Sequence, residues 1–217
     1  MKTAQLAAVK FLIFDLDGTL IDSSQGVAEA TNYALEKIGE KRRSVEEIAA
    51  FIGYPLEDMF KAFSNGSYDE FWKHFQEIGK TVIAASATPI GNADKILHTL
   101  KERGYHIGIG TTKRRIHVAK ILRNLKWEDL IDAYVGADDV VKVKPAPDSF
   151  IETMNRLGGR TENCLVIGDT VNDVLAARVS GIPVVAVKSI FGHEEELVAS
   201  KPDYLFDSLD QILELLG

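Results

Sequence analysis

Four acids, a threonine and a lysine fall where their side chains can gather in one place. Asp15 and Asp17 follow the apolar run KFLIF (10–14), Thr111 follows YHIGIG (105–110), and Asp169 and Asp173 follow CLVIG (164–168) in GDTVND. If these runs are strands of an open parallel sheet, their carboxyl ends border the crevice where such sheets bind ligands. Carboxylates concentrated there repel one another unless a cation neutralises them, and a hard, all-oxygen donor set suits magnesium. A metal held by carboxylates invites an anionic substrate, which also needs fixed positive charge from the protein. Lys144, in KVKPAPD (142–148), supplies it: the following proline restricts its backbone to an extended form, ahead of a helix beginning near Pro147. Thr111 adds a hydroxyl, and the helix start behind it adds unpaired N–H groups, a combination suited to phosphate oxygens. Singly, each residue has an ordinary reading as surface acid, loop lysine or helix cap. Their joint placement at strand ends is what marks a site.

The elements that must position these residues are legible in the pattern. Besides the three runs already named, AYVGA (133–137) and PVVAV (183–187) are too short for helices and read as buried strands. Between them lie helical spacings, such as Ile96, Leu97 and Leu100, then Val118, Ile121, Leu122 and Leu125. The alternation predicts an α/β fold, a parallel Rossmann-like sheet with helices on both faces. From Ser23 to Ser86 it breaks. Val27, Ala30, Thr31, Ala34, Leu35 and Ile38 share one helix face, and Val45–Phe51, Leu56–Phe63 and Tyr68–Ile83 read as further helices between GYP and SNGS turns. The expected division is therefore a catalytic core of residues 1–22 and 84–217 with an inserted small α-helical domain, 23–83.

Composition narrows the function. A 217-residue chain that is 46% hydrophobic and 26% charged is an ordinary globular protein, and its net charge of −7 argues against nucleic acid or an anionic membrane as partner. The single cysteine, Cys164, excludes an internal disulfide and fits a cytoplasmic location. No apolar stretch is long enough to span a bilayer, and MKTAQLAAVK does not read as a leader. The five histidines show no zinc-site spacing.

DLDGT (15–19), Thr111 in GIGTTK, Lys144 in KPAPD and GDTVND (168–173) together resemble the four motifs of the haloacid dehalogenase superfamily, specifically its phosphatases with a helical cap. The resemblance runs from about Lys10 to the C-terminus, and DLDGTLIDSS and GDTVNDVLAARVSG are closest to phosphoglycolate phosphatase-like enzymes. It implies a magnesium-dependent phosphatase acting on a small phosphorylated metabolite, as a monomer or homodimer. Asp15 would be the nucleophile. Asp17 would act as acid and then base, its backbone carbonyl on the metal; Thr111 and Lys144 would stabilise the transferring phosphoryl group. Asp169 would ligate magnesium and Asp173 support it, while the Gly18 N–H approaches the phosphate. Thr112, where relatives often carry asparagine, and the insert residues Gly53, Tyr54 and Pro55 would contact substrate. A phosphomutase or an inorganic pyrophosphatase on the same scaffold is the alternative, and a non-catalytic binding module the third. An acid at position 17 favours phosphate esters over carbon–halogen bonds, because the leaving alkoxide needs a proton.

Overall fold

The computed structural model describes residues 6–191 and 193–217. Residues 1–5, which belong to the expected core and begin the stretch read as lacking a leader, lie outside the described residues.

The chain starts at the middle of its sheet. Strand β1 (Phe11–Phe14) leads into a two-residue strand, β2 (Ile21–Asp22), and then into four helices: α1 (Ser24–Lys37), α2 (Val45–Ala49), α3 (Leu56–Phe63) and α4 (Tyr68–Ser86). It returns through β3 (Thr88–Pro89), which pairs antiparallel with β2 and so brings the two ends of the helical excursion together. From there strand and helix alternate: α5 (Ala93–Glu102), β4 (His106–Gly110), α6 (Arg115–Leu125), β5 (Ala133–Val135), α7 (Asp148–Leu157), β6 (Cys164–Gly168), α8 (Val171–Ser180), β7 (Val184–Val187), α9 (Glu194–Ala199), β8 (Tyr204–Phe206) and α10 (Gln211–Leu215).

The main sheet has the order β5-β4-β1-β6-β7-β8, parallel throughout, with β1 between β4 and β6. Its central strands are apolar on both faces because helices cover both. Leu12 and Phe14 join one core cluster with Ile96, Leu97, Val118 and Trp127, whereas Ile13, pointing the other way, joins Phe150, Val174 and Leu197. Burying a side chain such as Phe14 contributes roughly 1.5–3 kcal/mol. Phe14 stands level with Ile109 and with Ile167, so the residues just beyond them emerge at one edge of the sheet. That register is what assembles the site.

The four inserted helices enclose a core of their own, including Leu35, Ile48, Met59, Phe60, Phe71 and Phe75. Helices α1 and α4 approach closely where Gly26 faces α4, since a Cβ there would lie 2.6 Å from the Val82 carbonyl. A reciprocal Ser44–Glu47 capping box starts α2. That helix ends at Ala49, short of the expected Phe51, because the chain must turn through Gly53, whose φ of 90° only glycine adopts freely. At the other end α4 runs past Ile83 to Ser86 and stops ahead of the extended segment before Pro89. Two features had no expectation behind them, the β2–β3 pair and the edge strand β8. Among the described residues no helix is long and apolar enough to cross a membrane.

Candidate active site

Asp15 and Asp17 sit just past β1, and the Asp15 amide still follows the sheet, donating to the Ile167 carbonyl at 2.8 Å. Thr111 ends β4 in the same way, its amide on the Val135 carbonyl. Asp169 leaves β6, and Asp173 lies in the first turn of α8. The loop before α7 delivers Lys144, whose peptide bond to Pro145 is cis. All six side chains are buried.

Lys144 is the hub. Its Nζ donates to Asp15 Oδ1 at 2.5 Å and to Asp173 Oδ1 at 2.6 Å, over the face of the Phe150 ring. Burial alone would lower the pKa of this ammonium, but Asp15 and Asp173 outweigh it and raise the value, so Lys144 is a fixed cation. Asp173 divides its oxygens: Oδ1 meets Lys144, while Oδ2 accepts from the Thr170 amide and hydroxyl to close the capping box of α8. Asp169 accepts the Thr19 hydroxyl on Oδ1 at 2.7 Å and the Ser189 hydroxyl on Oδ2 at 2.6 Å. Ligand oxygens of Asp15, Asp169 and Asp173 all lie within 4.8 Å of one another.

Three carboxylates and one lysine leave negative charge in excess. Burial pushes the Asp15 carboxyl up to about 7; Lys144 opposes this, and Asp173 and Asp17 reinforce it. Asp169 is raised well above the ordinary range, by burial and then by Asp15 and Asp173. Meanwhile Asp15 Oδ2 is buried and, among the described residues, has no hydrogen-bond partner. An orphaned anionic oxygen among like charges is what a divalent cation or an electrophile would satisfy, and the all-oxygen donor set fits magnesium.

Asp17 is arranged differently. Its Oδ1 accepts the Ser23 hydroxyl at 2.5 Å and lies 3.2 Å from Lys113 Nζ, so the side chain turns from the three-acid cluster towards the insert. Lys113 also reaches Ser23. Of its neighbours, Arg114 bonds Asp138 and, in α4, Gln76, whereas Arg115 pairs with Asp139. Thr111 Oγ1 accepts from the Lys113 amide and is not the cap of α6, since that position belongs to Arg114. Gly18 has a φ of 86°, and a Cβ on it would fall 2.1 Å from Asp169 Oδ2, so the loop after β1 closes over Asp169 only with glycine there.

The insert meets this edge. Gly53 lies against Thr170, where a Cβ would come within 2.7 Å of the threonine methyl. Tyr54 contacts Glu196 and packs at a tilt against His193, whose Nε2 lies 2.9 Å from the Ala50 carbonyl. Between insert and sheet edge lies a cavity of about 500 Å³ bordered by Asp17, Thr112, Lys113 and His117 on one side and by Gly53, Tyr54 and apolar residues of the insert on the other.

Of the residues singled out from the sequence, Asp15 and Asp173 meet at Lys144 with Asp169 alongside, and Asp17, Thr112, Gly53, Tyr54 and Pro55 border the cavity, whereas Thr111, bonded to the Lys113 amide, and Gly18, packed on Asp169, border neither. The hydroxyls of Thr19, Ser23, Thr170 and Ser189 escaped the sequence reading. Ser189 had a usable signal, because it lies just past β7 and obeys the same strand-end rule as the acids.

Residues 12–187 match the haloacid dehalogenase-like hydrolase family. Pyrophosphatase PpaX of Anoxybacillus flavithermus is 28% identical over 209 residues, 96% of this chain and 97% of that one. Phosphoglycolate phosphatase of Photorhabdus laumondii is 28% identical over 225 residues, covering 100% of this chain and 96% of that one. Among solved structures, a haloacid dehalogenase-like hydrolase from Streptococcus pneumoniae aligns with a TM-score of 0.85 at 27% identity, covering 97% of this chain and 99% of the other.

Proposed function

The chain belongs to the haloacid dehalogenase-like hydrolase family, and on that premise we propose that it is a magnesium-dependent phosphatase hydrolysing a small phosphomonoester through an aspartyl phosphate on Asp15. The observation that carries the reading is the Asp15 carboxylate: one oxygen is fixed by Lys144, the other is buried without a partner, and Asp169 and Asp173 lie alongside. In this reading residues 23–83 form a cap over a core of 1–22 and 84–217.

Asp15, Asp169 and Asp173 would hold Mg²⁺, with the Asp17 carbonyl, and the ion would neutralise their charge and polarise a phosphoryl oxygen. Asp15 attacks phosphorus; the bond from phosphorus to the leaving oxygen breaks, and Asp17 gives its proton to the departing alkoxide. Asp17, now a carboxylate, takes a proton from water. The resulting hydroxide displaces Asp15 from phosphorus, which releases inorganic phosphate and restores both acids. Lys144 and Thr111 stabilise charge on the transferring group, whereas the Gly18 amide donates to the Ile21 carbonyl at 2.9 Å and would have to leave it to meet the phosphate. Lys113 and Ser23 orient the Asp17 carboxyl towards the leaving-group side.

The test is Asp15→Asn, assayed by phosphate release from phosphoglycolate and from an aryl phosphate. Turnover should fall at least a thousandfold with an unchanged circular dichroism spectrum; retention of a tenth of the rate overturns the assignment. Chelator should abolish wild-type activity and magnesium restore it, with calcium a poor substitute because it favours bidentate carboxylates. Pyrophosphate is a second reading, supported by the name of the Anoxybacillus relative.

A further inference from the structure

We infer that the alcohol half of the substrate is uncharged and largely apolar, at least as large as an aromatic ring. This rests on the phosphatase reading and specifies what that site accepts. The cavity adjoining Asp17 and Thr112 has a volume of about 500 Å³, within the roughly 300–1,000 Å³ typical of sites for organic ligands. Its far wall is built from Val27, Phe51, Leu56, Met59, Tyr68 and Trp72. Several of these, Phe51, Leu56, Tyr68 and Trp72 among them, pack against the insert's core yet are only half-buried, so part of their apolar surface is left over.

A charged leaving group would need a cation at this wall, and those present are committed. Lys113 is paired with Asp17 and Ser23. Arg114 bonds Asp138 and Gln76 and lies over the Trp72 ring. His117 is held neutral at physiological pH, its pKa brought down to about 4 by burial and then by Lys113 and Arg114. The cations of the insert that could have served a second anionic group stand elsewhere: Arg42 pairs with Glu36, Arg43 with Glu47 and Lys61 with Glu57, and none of the three borders the cavity. The carboxylate of phosphoglycolate, or the second phosphate of pyrophosphate, would therefore take Lys113 from Asp17 or be desolvated without a partner. An apolar ring loses nothing polar on entry and packs against the parts of Trp72 and Tyr68 that border the cavity.

The test compares benzyl phosphate, methyl phosphate, phosphoglycolate and pyrophosphate under one magnesium condition. The first two are alkyl esters of matched leaving-group basicity, so their difference reports binding of the organic half. We expect kcat/KM for benzyl phosphate to exceed that for methyl phosphate at least a hundredfold and that for each anionic compound at least tenfold. Trp72→Ala should lower the benzyl-to-methyl ratio about tenfold. Should that variant not fold, calorimetric titration of the unaltered protein with benzylphosphonate and methylphosphonate gives the same comparison, with at least tenfold tighter binding expected for the former. Equal binding of the two phosphonates, or a preference for phosphoglycolate or pyrophosphate among compounds that are hydrolysed, overturns the inference and leaves the phosphatase reading intact. Failure to hydrolyse any of the four overturns both.

Discussion

Protonating His117 should cost the folded protein stability, and replacing it by glutamine should remove that cost. The imidazole sits in the first turns of α6, 4% exposed, with Nδ1 lacking a hydrogen-bond partner among the described residues. Burial comes first in holding its pKa down to about 4, followed by the positive charges of Lys113, Arg114 and Lys120, with Asp138 opposing them. The unfolded chain binds this proton near the ordinary value of about 6.5, whereas the folded chain does not until about 4. Between those values the unfolded state holds more protons, so stability rises with pH. The contribution is complete above about 6.5 and drains away as pH falls towards 4. With those two values, the loss between pH 7.5 and pH 5.0 comes to about 2 kcal/mol. Urea denaturation in chelator at the two pH values, for wild type and His117→Gln, isolates the effect, because the carboxylates of the site titrate alike in both proteins. Wild type should lose about 2 kcal/mol more than the variant, with unchanged m-values. Losses equal to within about 0.5 kcal/mol would show that the folded protein accommodates the imidazolium, and the account of a neutral cavity wall would fall with it.

Gly18→Ala should destabilise the protein by at least about 2 kcal/mol and depress turnover, since the left-handed backbone costs about 1–2 kcal/mol before the new Cβ displaces Asp169; an ordinary urea midpoint would contradict the tight closure of that loop. Asp17→Asn should slow alkyl phosphates at least tenfold more than p-nitrophenyl phosphate, whose leaving group departs without a proton. Comparable losses on both substrates in a pre-steady-state assay of alcohol release would remove its role as acid.

The parallel sheet could be read from the sequence because strands buried on both faces must be apolar throughout, and CLVIG and PVVAV advertise that locally. Strand β8 obeys another rule. Tyr204, Leu205 and Phe206 pair only with β7 at the sheet edge, half-exposed and set between Asp203 and Asp207, so the segment carries too little apolar periodicity to stand out from a loop. The β2–β3 pair joins residues far apart in the chain and is decided by tertiary closure alone. At the site, the acids and Lys144 were visible because charge beside a buried strand has no structural excuse. The hydroxyls of Thr19, Ser23 and Ser189 were not, since a serine or threonine in a loop is unremarkable until an acid distant in sequence, such as Asp169, is folded against it.

The short ladder between Ile21–Asp22 and Thr88–Pro89 also sets how the helical insert can move. Two chains bonded side by side, about 4.8 Å apart, would act as a single pivot line: a tilt of the insert about it would keep the ladder, whereas a translation would break it. A tilt changes little near the pivot and most at the far rim, where Gly53 rests on Thr170, Tyr54 on Glu196 and Gln76 on Arg114. Product escape would therefore part this rim of small contacts while the three-acid cluster, anchored at the sheet edge behind the pivot, keeps its shape from one turnover to the next.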